Sequence, residues 1–115
     1  MRLGTWRIRR HHRAIVKQFG PHVMDENDQN ARYVRDGAPD CLVGHILYRA
    51  GWTIDELKSV DNVWDSTVPV NISFEDPDLH HKNHLFLHRV TLAGRKMLAK
   101  AQERQDEGMA WKYCI

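Results

Sequence analysis

This 115-residue sequence lacks long apolar runs, and it has only two cysteines. No run approaches the roughly 20 apolar residues that cross a bilayer, and the basic N-terminus has no apolar segment typical of a secretory signal. Cys41 and Cys114 are too few for a disulfide framework. We therefore expect a cytoplasmic protein with no membrane partner, in which Cys41 is buried and Cys114 lies near a frayed terminus.

Catalytic motifs are also lacking. The chain has no glycine-rich phosphate loop, no Gly-x-Ser-x-Gly elbow and no paired-carboxylate motif. Cys41 with His45 one turn later would suit an activated thiolate at a helix N-terminus, but a nucleophile also needs exposure and an oriented base. Because Cys41 opens the most apolar helix of the chain, we predict a structural cysteine and no enzyme activity.

What the chain does have is the composition of a folded domain, with 42% hydrophobic and 28% charged residues. We predict one domain, 1–115, with a basic helix or arm over 1–20 and a core over 31–111. Acidic residues are missing from residues 1–19, which carry six Lys/Arg, while the other 11 Lys/Arg face 15 Asp/Glu. Such an arm suits nucleic acid or an acidic protein partner. Its candidate interaction residues are Arg7, Arg9, Arg10, Arg13 and Lys17.

The arm has apolar residues and one histidine at helical spacing: Ile8, His12, Ile15 and Phe19. This spacing predicts a basic amphipathic helix from Trp6 to Phe19, which docks on the body of the protein. The alternation of residues 6–9 also fits an edge strand.

The centre of the chain is an apolar helix from Cys41 to Ala50. Turn residues precede it, and either Pro39 or Asp40 is expected to begin it. A helix that is apolar on nearly all sides belongs inside a domain, and Gly44 would allow another backbone to approach.

A second helix is expected to follow closely. Gly51 stands where a left-handed cap would end the first helix. Thr53 and Glu56 form a capping-box pattern that begins the second helix, Ile54 to about Val60. A DNA-binding helix-turn-helix is the alternative to a structural hairpin, but the bulky Leu47 and the acidic residues 54–58 oppose it.

The fold class predicted from the whole chain is mostly α with minor β, with one or two short strands around the central helix–turn–helix. Residues 68–74 alternate as a short edge strand would, and residues 80–88 fit either helix or strand. A helix from about Thr91 to Glu107, closed by Gly108, is followed by Trp111, which is expected to fold back onto the core.

Four histidines crowd into residues 80–88. On a helix His80, His84 and His88 would share a face, and imidazoles at this spacing chelate zinc or nickel. No carboxylate or cysteine stands at a spacing that completes the site. The favoured interpretation is therefore solvated polar residues and no cofactor, with zinc as the alternative.

Two short segments resemble known sequences. Residues 33–44, with Gly37-Ala38-Pro39-Asp40-Cys41-Leu42-Val43-Gly44, are similar to the turn and Pro-x-Cys-x-x-Gly helix of small uncharacterised proteins of actinobacteria and their phages. Residues 101–111 resemble the Ala-Gln-x-x-Gln-Asp-x-Gly-x-x-Trp segment of the same proteins. The resemblance implies an origin, but no chemistry.

The function expected from these features is that of a non-catalytic phage accessory protein that binds and modulates a host protein. Its four tryptophans would serve as anchors. A nucleic-acid-binding regulator that uses the basic arm is the alternative. Metal binding through the histidine cluster ranks third.

Overall fold

A computed structural model describes residues 2–20, 34–63 and 89–115 of the chain, without the side chains of 34 and 59–63. The protein is mostly helical with a minor strand component, as predicted. In chain order, the elements are α1 Thr5–Phe19, β1 Val34–Arg35, β2 Ala38–Pro39, α2 Leu42–Arg49, α3 Ile54–Val63, α4 Leu92–Asp106 and α5 Trp111–Cys114. The segments predicted as a strand over 68–74 and as helix or strand over 80–88 lie outside the described residues.

The two strands form a small antiparallel hairpin in front of α2. Asp36 and Gly37 occupy its turn, both with positive φ, at 53° and 78°. Two consecutive left-handed residues match the right-handed twist of the strands, and Asp-Gly is a preferred pair for such a turn. The predicted turn is confirmed. Pro39, however, lies in β2 and does not begin the helix.

The N-terminus of α2 is capped by Cys41, where we expected Asp40 or Pro39. The Sγ atom of Cys41 accepts a hydrogen bond from the Gly44 N–H at 3.3 Å. Asp40 remains outside the helix and pairs with Arg35 at 3.4 Å, from carboxylate oxygen to Nε. Cys41 caps the helix in place of Asp40 because Asp40 is turned toward the hairpin, while Cys41 is fully buried at the helix end.

The C-terminus of α2 ends as the sequence predicted. Gly51 has φ 109°, and its N–H bonds to the Tyr48 carbonyl while the Trp52 N–H bonds to the Leu47 carbonyl. This pair of bonds defines a Schellman motif, which needs a left-handed residue at the position of Gly51. Leu47 and Trp52 are both buried, as the hydrophobic contact that accompanies this motif requires.

The capping box that begins α3 is confirmed in both directions. The Glu56 N–H donates to the Thr53 hydroxyl at 3.1 Å, and the Thr53 N–H donates to a Glu56 carboxylate oxygen at 3.0 Å. The helix continues to Val63, three residues beyond the predicted end.

Residues 6–9 are helical, so the edge-strand alternative is wrong. Ile8, His12 and Ile15 form the buried face of α1, and Ile8 and Ile15 join the cluster that contains the buried residues of α2. Therefore, the hydrophobic core is not limited to 31–111 but includes the N-terminal helix.

The residues before α1 pair with the residues before α4. Leu3 and Val90 form a parallel bridge, and both side chains are buried. The Leu3 N–H bonds to the Arg89 carbonyl at 2.6 Å, and the Thr91 N–H bonds to the Leu3 carbonyl at 3.0 Å. A Cβ on Gly94 would lie 2.8 Å from the Leu3 carbonyl oxygen. The close approach of these backbones thus requires glycine in the first turn of α4.

The expected boundaries of α4 are confirmed. The Thr91 hydroxyl caps its N-terminus by accepting from the Gly94 N–H at 3.0 Å. Gly108, with φ 90°, ends it in a second Schellman motif. Trp111 then folds back and is 2% exposed, as predicted. The expectation of a frayed Cys114 is wrong, because its side chain is 1% exposed and its Sγ contacts the Ala110 carbonyl at 3.4 Å.

Three aromatic rings join the end of α1, the middle of α2 and the start of α5. Phe19 lies 4.8 Å from the ring of His45 and 5.8 Å from that of Trp111, between centroids, and His45 lies 5.4 Å from Trp111. Nearby, His12 Nε2 donates to the Trp111 carbonyl at 2.7 Å. These contacts hold α5 against α1 and fix the position of the N-terminal helix.

In the segments described above, no helix combines the length and the apolar character needed to cross a membrane.

Candidate functional site

The side of α1 that points away from the core is a basic face with an exposed tryptophan, formed by Trp6, Arg9, Arg10, Arg13 and Lys17. These five residues are all exposed, and Trp6 retains 66% of its accessible surface. Arg10 lies one turn after Trp6, with its guanidinium carbon 5.7 Å from the indole centroid. We call this surface the outer face of α1.

The placement of these cations is not explained by the stability of the helix. α1 has no acidic residue in its first turn and no side chain that caps its N-terminus. Arg7 instead lies in the first turn, where the helix dipole disfavours positive charge, and Arg9 and Arg10 follow in the second turn. A local arrangement that opposes helix stability is typical of a surface kept for binding.

Arg7, predicted to belong with the other cations of the arm, differs from them in position. It is only partly exposed and lines a cleft beside α1. The cleft has a volume of about 410 Å³, and the residues around it are Arg2, Leu3, Arg7, Ala50, Gly51, Trp52 and Arg89. Two arginines from the start of the chain and one from position 89 therefore line the same space.

The parallel bridge between Leu3 and Val90 places two of these arginines together. In a parallel pair the preceding residues are also neighbours, so Arg2 lies beside Arg89. The side chains of Leu3 and Val90 are buried, whereas Arg2 and Arg89 are both exposed. We call this space the arginine cleft.

One carboxylate partly balances the cleft. Glu56 forms an ion pair with Arg89, while Arg89 also lies over the Trp52 ring at 5.6 Å. The hydrogen bond from the Thr53 backbone N–H is the main reason why the pKa of Glu56 is lowered, and the charge of Arg89 contributes further. Glu56 therefore stays ionised, and its charge is already shared between the cap of α3 and Arg89.

The positive charge around Arg7 also affects the pKa of His11, one turn later. Burial lowers the pKa of His11, and the positive charges of Arg7, Arg49 and Arg10 lower it further. His11 is therefore neutral at pH 7. The charges that lower the pKa of His11 are all positive, which makes this flank of α1 a favourable place for an anion.

The residues predicted to be structural are distributed around α2. Cys41 and Gly44 are buried in its first turn, and Gly51 ends it. Trp111 lies in the aromatic cluster, and Asp40 pairs with the hairpin. None of these five lies in the arginine cleft except Gly51, whose backbone lines it.

The predicted metal ligands His80, His84 and His88 lie outside the described residues. Within the described segments, no three His, Cys, Asp or Glu side chains come together in a way that could hold a metal ion. Cys41 has no exposed surface, so its thiol is not available to a substrate in this conformation.

Arg2 and Arg89 were not among the candidate interaction residues that the sequence pointed to, and Trp52 was counted only as one of four tryptophan anchors. Arg2 and Arg89 are 87 positions apart, and no local pattern indicates that the two segments pair. The exposure of Trp6 was accessible from the sequence, because helical spacing places it opposite Ile8, His12 and Ile15.

Comparisons of the chain with protein-family models, with curated proteins and with solved structures gave no match.

Proposed function

We propose that this chain is a non-catalytic binding protein that uses the outer face of α1 to recognise an acidic surface on a partner protein. The observation that carries the proposal is the 66% exposure of Trp6 at the centre of a face whose other members are all cations. Tryptophan and arginine are the residues most enriched where interfaces derive their binding energy.

The packing of α1 on the core supports this function. Ile8, His12 and Ile15 anchor the helix on the core, so its outer side chains project from a fixed backbone. A helix that is already ordered loses less conformational freedom on binding than a free tail would. At about 22 Å, its 15 residues are long enough to lie along a groove or a flat acidic patch.

The proposed setting rests on the resemblance to small proteins of actinobacteria and their phages. The protein would be a phage accessory factor that acts in the cytoplasm of a bacterial host and modulates a host protein. A partner with negative surface potential would be attracted over several ångströms by the cations of α1, with a rate of association that falls as salt rises.

Nucleic acid is the second candidate partner of the same face. It is favoured by one specific feature, the complete absence of acidic residues from α1. Arginines beside an exposed indole can contact phosphates while a base stacks on the ring. Binding of this kind would weaken steeply with salt, because each neutralised phosphate releases counterions.

A capture experiment with a matched control tests the proposal. The tagged full-length protein and its Trp6→Ala and Tyr113→Ala variants are incubated with actinobacterial lysate, with and without nuclease. Tyr113 is 62% exposed and lies on α5, so it provides a similarly exposed aromatic residue that is not part of the outer face of α1. We expect one host protein to be retained by wild type and by Tyr113→Ala after nuclease treatment, and to be lost with Trp6→Ala.

Purified components then decide between the two partners. The retained protein should bind wild type with an affinity that Trp6→Ala lowers by about tenfold or more, as for an interface hot spot. Capture that disappears with nuclease, together with a gel shift of unrelated DNA or RNA that is lost in Trp6→Ala, would favour nucleic acid. Equal capture by all three proteins would rule out the outer face of α1 as the binding surface.

A further inference from the structure

We propose that the arginine cleft is a binding site for the phosphate group of a small phosphorylated molecule, held by Arg2, Arg7 and Arg89. This site is separate from the outer face of α1, and the proposal does not depend on the partner of that face.

The charge of the cleft is the first reason. Three guanidinium groups line it, and Glu56 is the carboxylate that forms an ion pair there, with Arg89. Among the described residues, neither Arg2 nor Arg7 forms an ion pair. Like charges that lie side by side repel, and this repulsion is relieved when a dianion binds between them.

The rigidity of the cleft is the second reason. The backbone bridge of Leu3 with Val90 fixes the start of the chain, and Gly94 allows the two segments to approach closely. Arg7 stands on α1, which is anchored by Ile8. The three arginines are therefore mounted on backbones whose positions are set by buried contacts, as a preformed anion site requires.

The choice of ligand follows from the chemistry of the lining. Guanidinium groups present planar pairs of N–H donors that match the oxygen atoms of a phosphate in bidentate fashion. The lining also includes Ala50, Gly51 and a small exposed part of Trp52. A volume of about 410 Å³ is within the roughly 300–1,000 Å³ of small-molecule sites. The cleft thus has room for an organic group attached to the phosphate.

The test uses phenyl phosphate and inorganic phosphate as probes for the full-length protein, at constant ionic strength maintained with chloride. Titrations are followed by ¹H–¹⁵N chemical shifts, with calorimetry for the affinity. We expect both probes to shift the amide signals of Leu3, Gly51 and Trp52. Phenyl phosphate should bind about threefold tighter or more, because its ring adds contacts with Ala50 and Trp52, which line the cleft.

Charge-matched variants separate a site from general attraction. Arg2→Gln and Arg7→Gln each remove one positive charge from the cleft, whereas Arg13→Gln removes the same charge from the outer face of α1. Each cleft variant should weaken phenyl phosphate by about tenfold, the loss expected for a charge-assisted hydrogen bond. Arg13→Gln should leave the affinity within about twofold, since an exposed charge outside the cleft is screened.

Three results would overturn the proposal. One is the absence of saturable binding of phenyl phosphate by a wild-type protein whose spectrum shows it to be folded. Another is an equal loss of affinity in Arg13→Gln and Arg7→Gln, which would indicate attraction to overall charge. The third is inorganic phosphate binding as tightly as phenyl phosphate, which would exclude an organic ligand in the cleft.

Discussion

Replacement of Gly94 by alanine should destabilise the protein, although alanine is the better helix former. The added Cβ would lie 2.8 Å from the Leu3 carbonyl oxygen and 3.0 Å from both the Thr91 Oγ1 and the Val90 Cγ1. A carbon atom does not fit within 3 Å of a backbone oxygen. The segment that contains Leu3 must therefore move away from α4.

The magnitude follows from what that movement breaks. Overpacking of a well-packed site costs about 1–3 kcal/mol. The two backbone hydrogen bonds of Leu3, to Arg89 and from Thr91, are each worth about 0.5–1.5 kcal/mol where the strain breaks them. The higher helix propensity of alanine returns at most ~1 kcal/mol. We expect a net loss of about 1–3 kcal/mol.

Thermal unfolding followed by circular dichroism measures this loss. At about 2.1 cal/mol/K per residue, the 115 residues give an unfolding entropy of about 0.24 kcal/mol/K. The expected loss therefore lowers Tm by about 4–12 °C. Hydrogen exchange should also show that the amides of Leu3 and Thr91, which bond across the bridge, lose protection.

Gly4→Ala is the matched control. It adds the same methyl group at the residue after Leu3, but the nearest atom there is the Thr91 Cγ2 at 3.9 Å. The φ of Gly4, −104°, is one that alanine adopts without strain. Its stability should stay within about 1 kcal/mol of wild type. If Gly94→Ala melts within 2 °C of wild type, the backbones do not approach as described.

Two further predictions concern buried groups. Gln105→Met should lower the free energy of unfolding by about 1–3 kcal/mol in urea titrations, because Gln105 Oε1 accepts the buried N–H of Leu42 at 2.8 Å. Gln102→Met, equally buried on the same helix, should have a smaller effect. The Gln102 amide oxygen has no hydrogen-bond partner among the described residues, and its Nε2 donates at 3.0 Å to the exposed Asp106, so this substitution leaves no buried backbone N–H unpaired. Equal losses would contradict this explanation. Burial raises the pKa of Cys114 to about 11, from about 9, so the folded state retains this proton while the unfolded state releases it. The free energy of unfolding should therefore be unchanged below pH 9 and fall as pH rises toward 11, by up to ~1.4 kcal/mol per pH unit. A Cys114→Ala variant whose Tm falls as steeply over this range would refute this assignment.

The boundaries of the helices were predictable where side chains and glycines close in sequence determine them. Thr53 with Glu56 can satisfy the first amides of α3 without help from the rest of the chain. Gly51 adopts its left-handed conformation at little steric cost wherever the fold places it. The apolar spacing of Ile8 and Ile15 likewise predicts which side of α1 is buried, whatever it packs against.

The errors fall where a distant segment decides between local options. Cys41, and not Asp40, caps α2 because the hairpin engages the carboxylate of Asp40. Gln105 supplies a further acceptor to the same helix end, at Leu42, from 63 positions away. Cys114 is buried because Trp111 holds α5 against α1. This contact joins the two ends of the described chain.

The sequence by itself determined the outer face of α1, since helical periodicity alone places Trp6 among the arginines and opposite the buried stripe. Only the tertiary structure decided the arginine cleft. Its cations come from Arg2, Arg7 and Arg89, and the bridge between Leu3 and Val90 that brings the first and last of them together is a long-range backbone pairing. Such a pairing depends on the packing of every element between its partners, and no local pattern of residues encodes it.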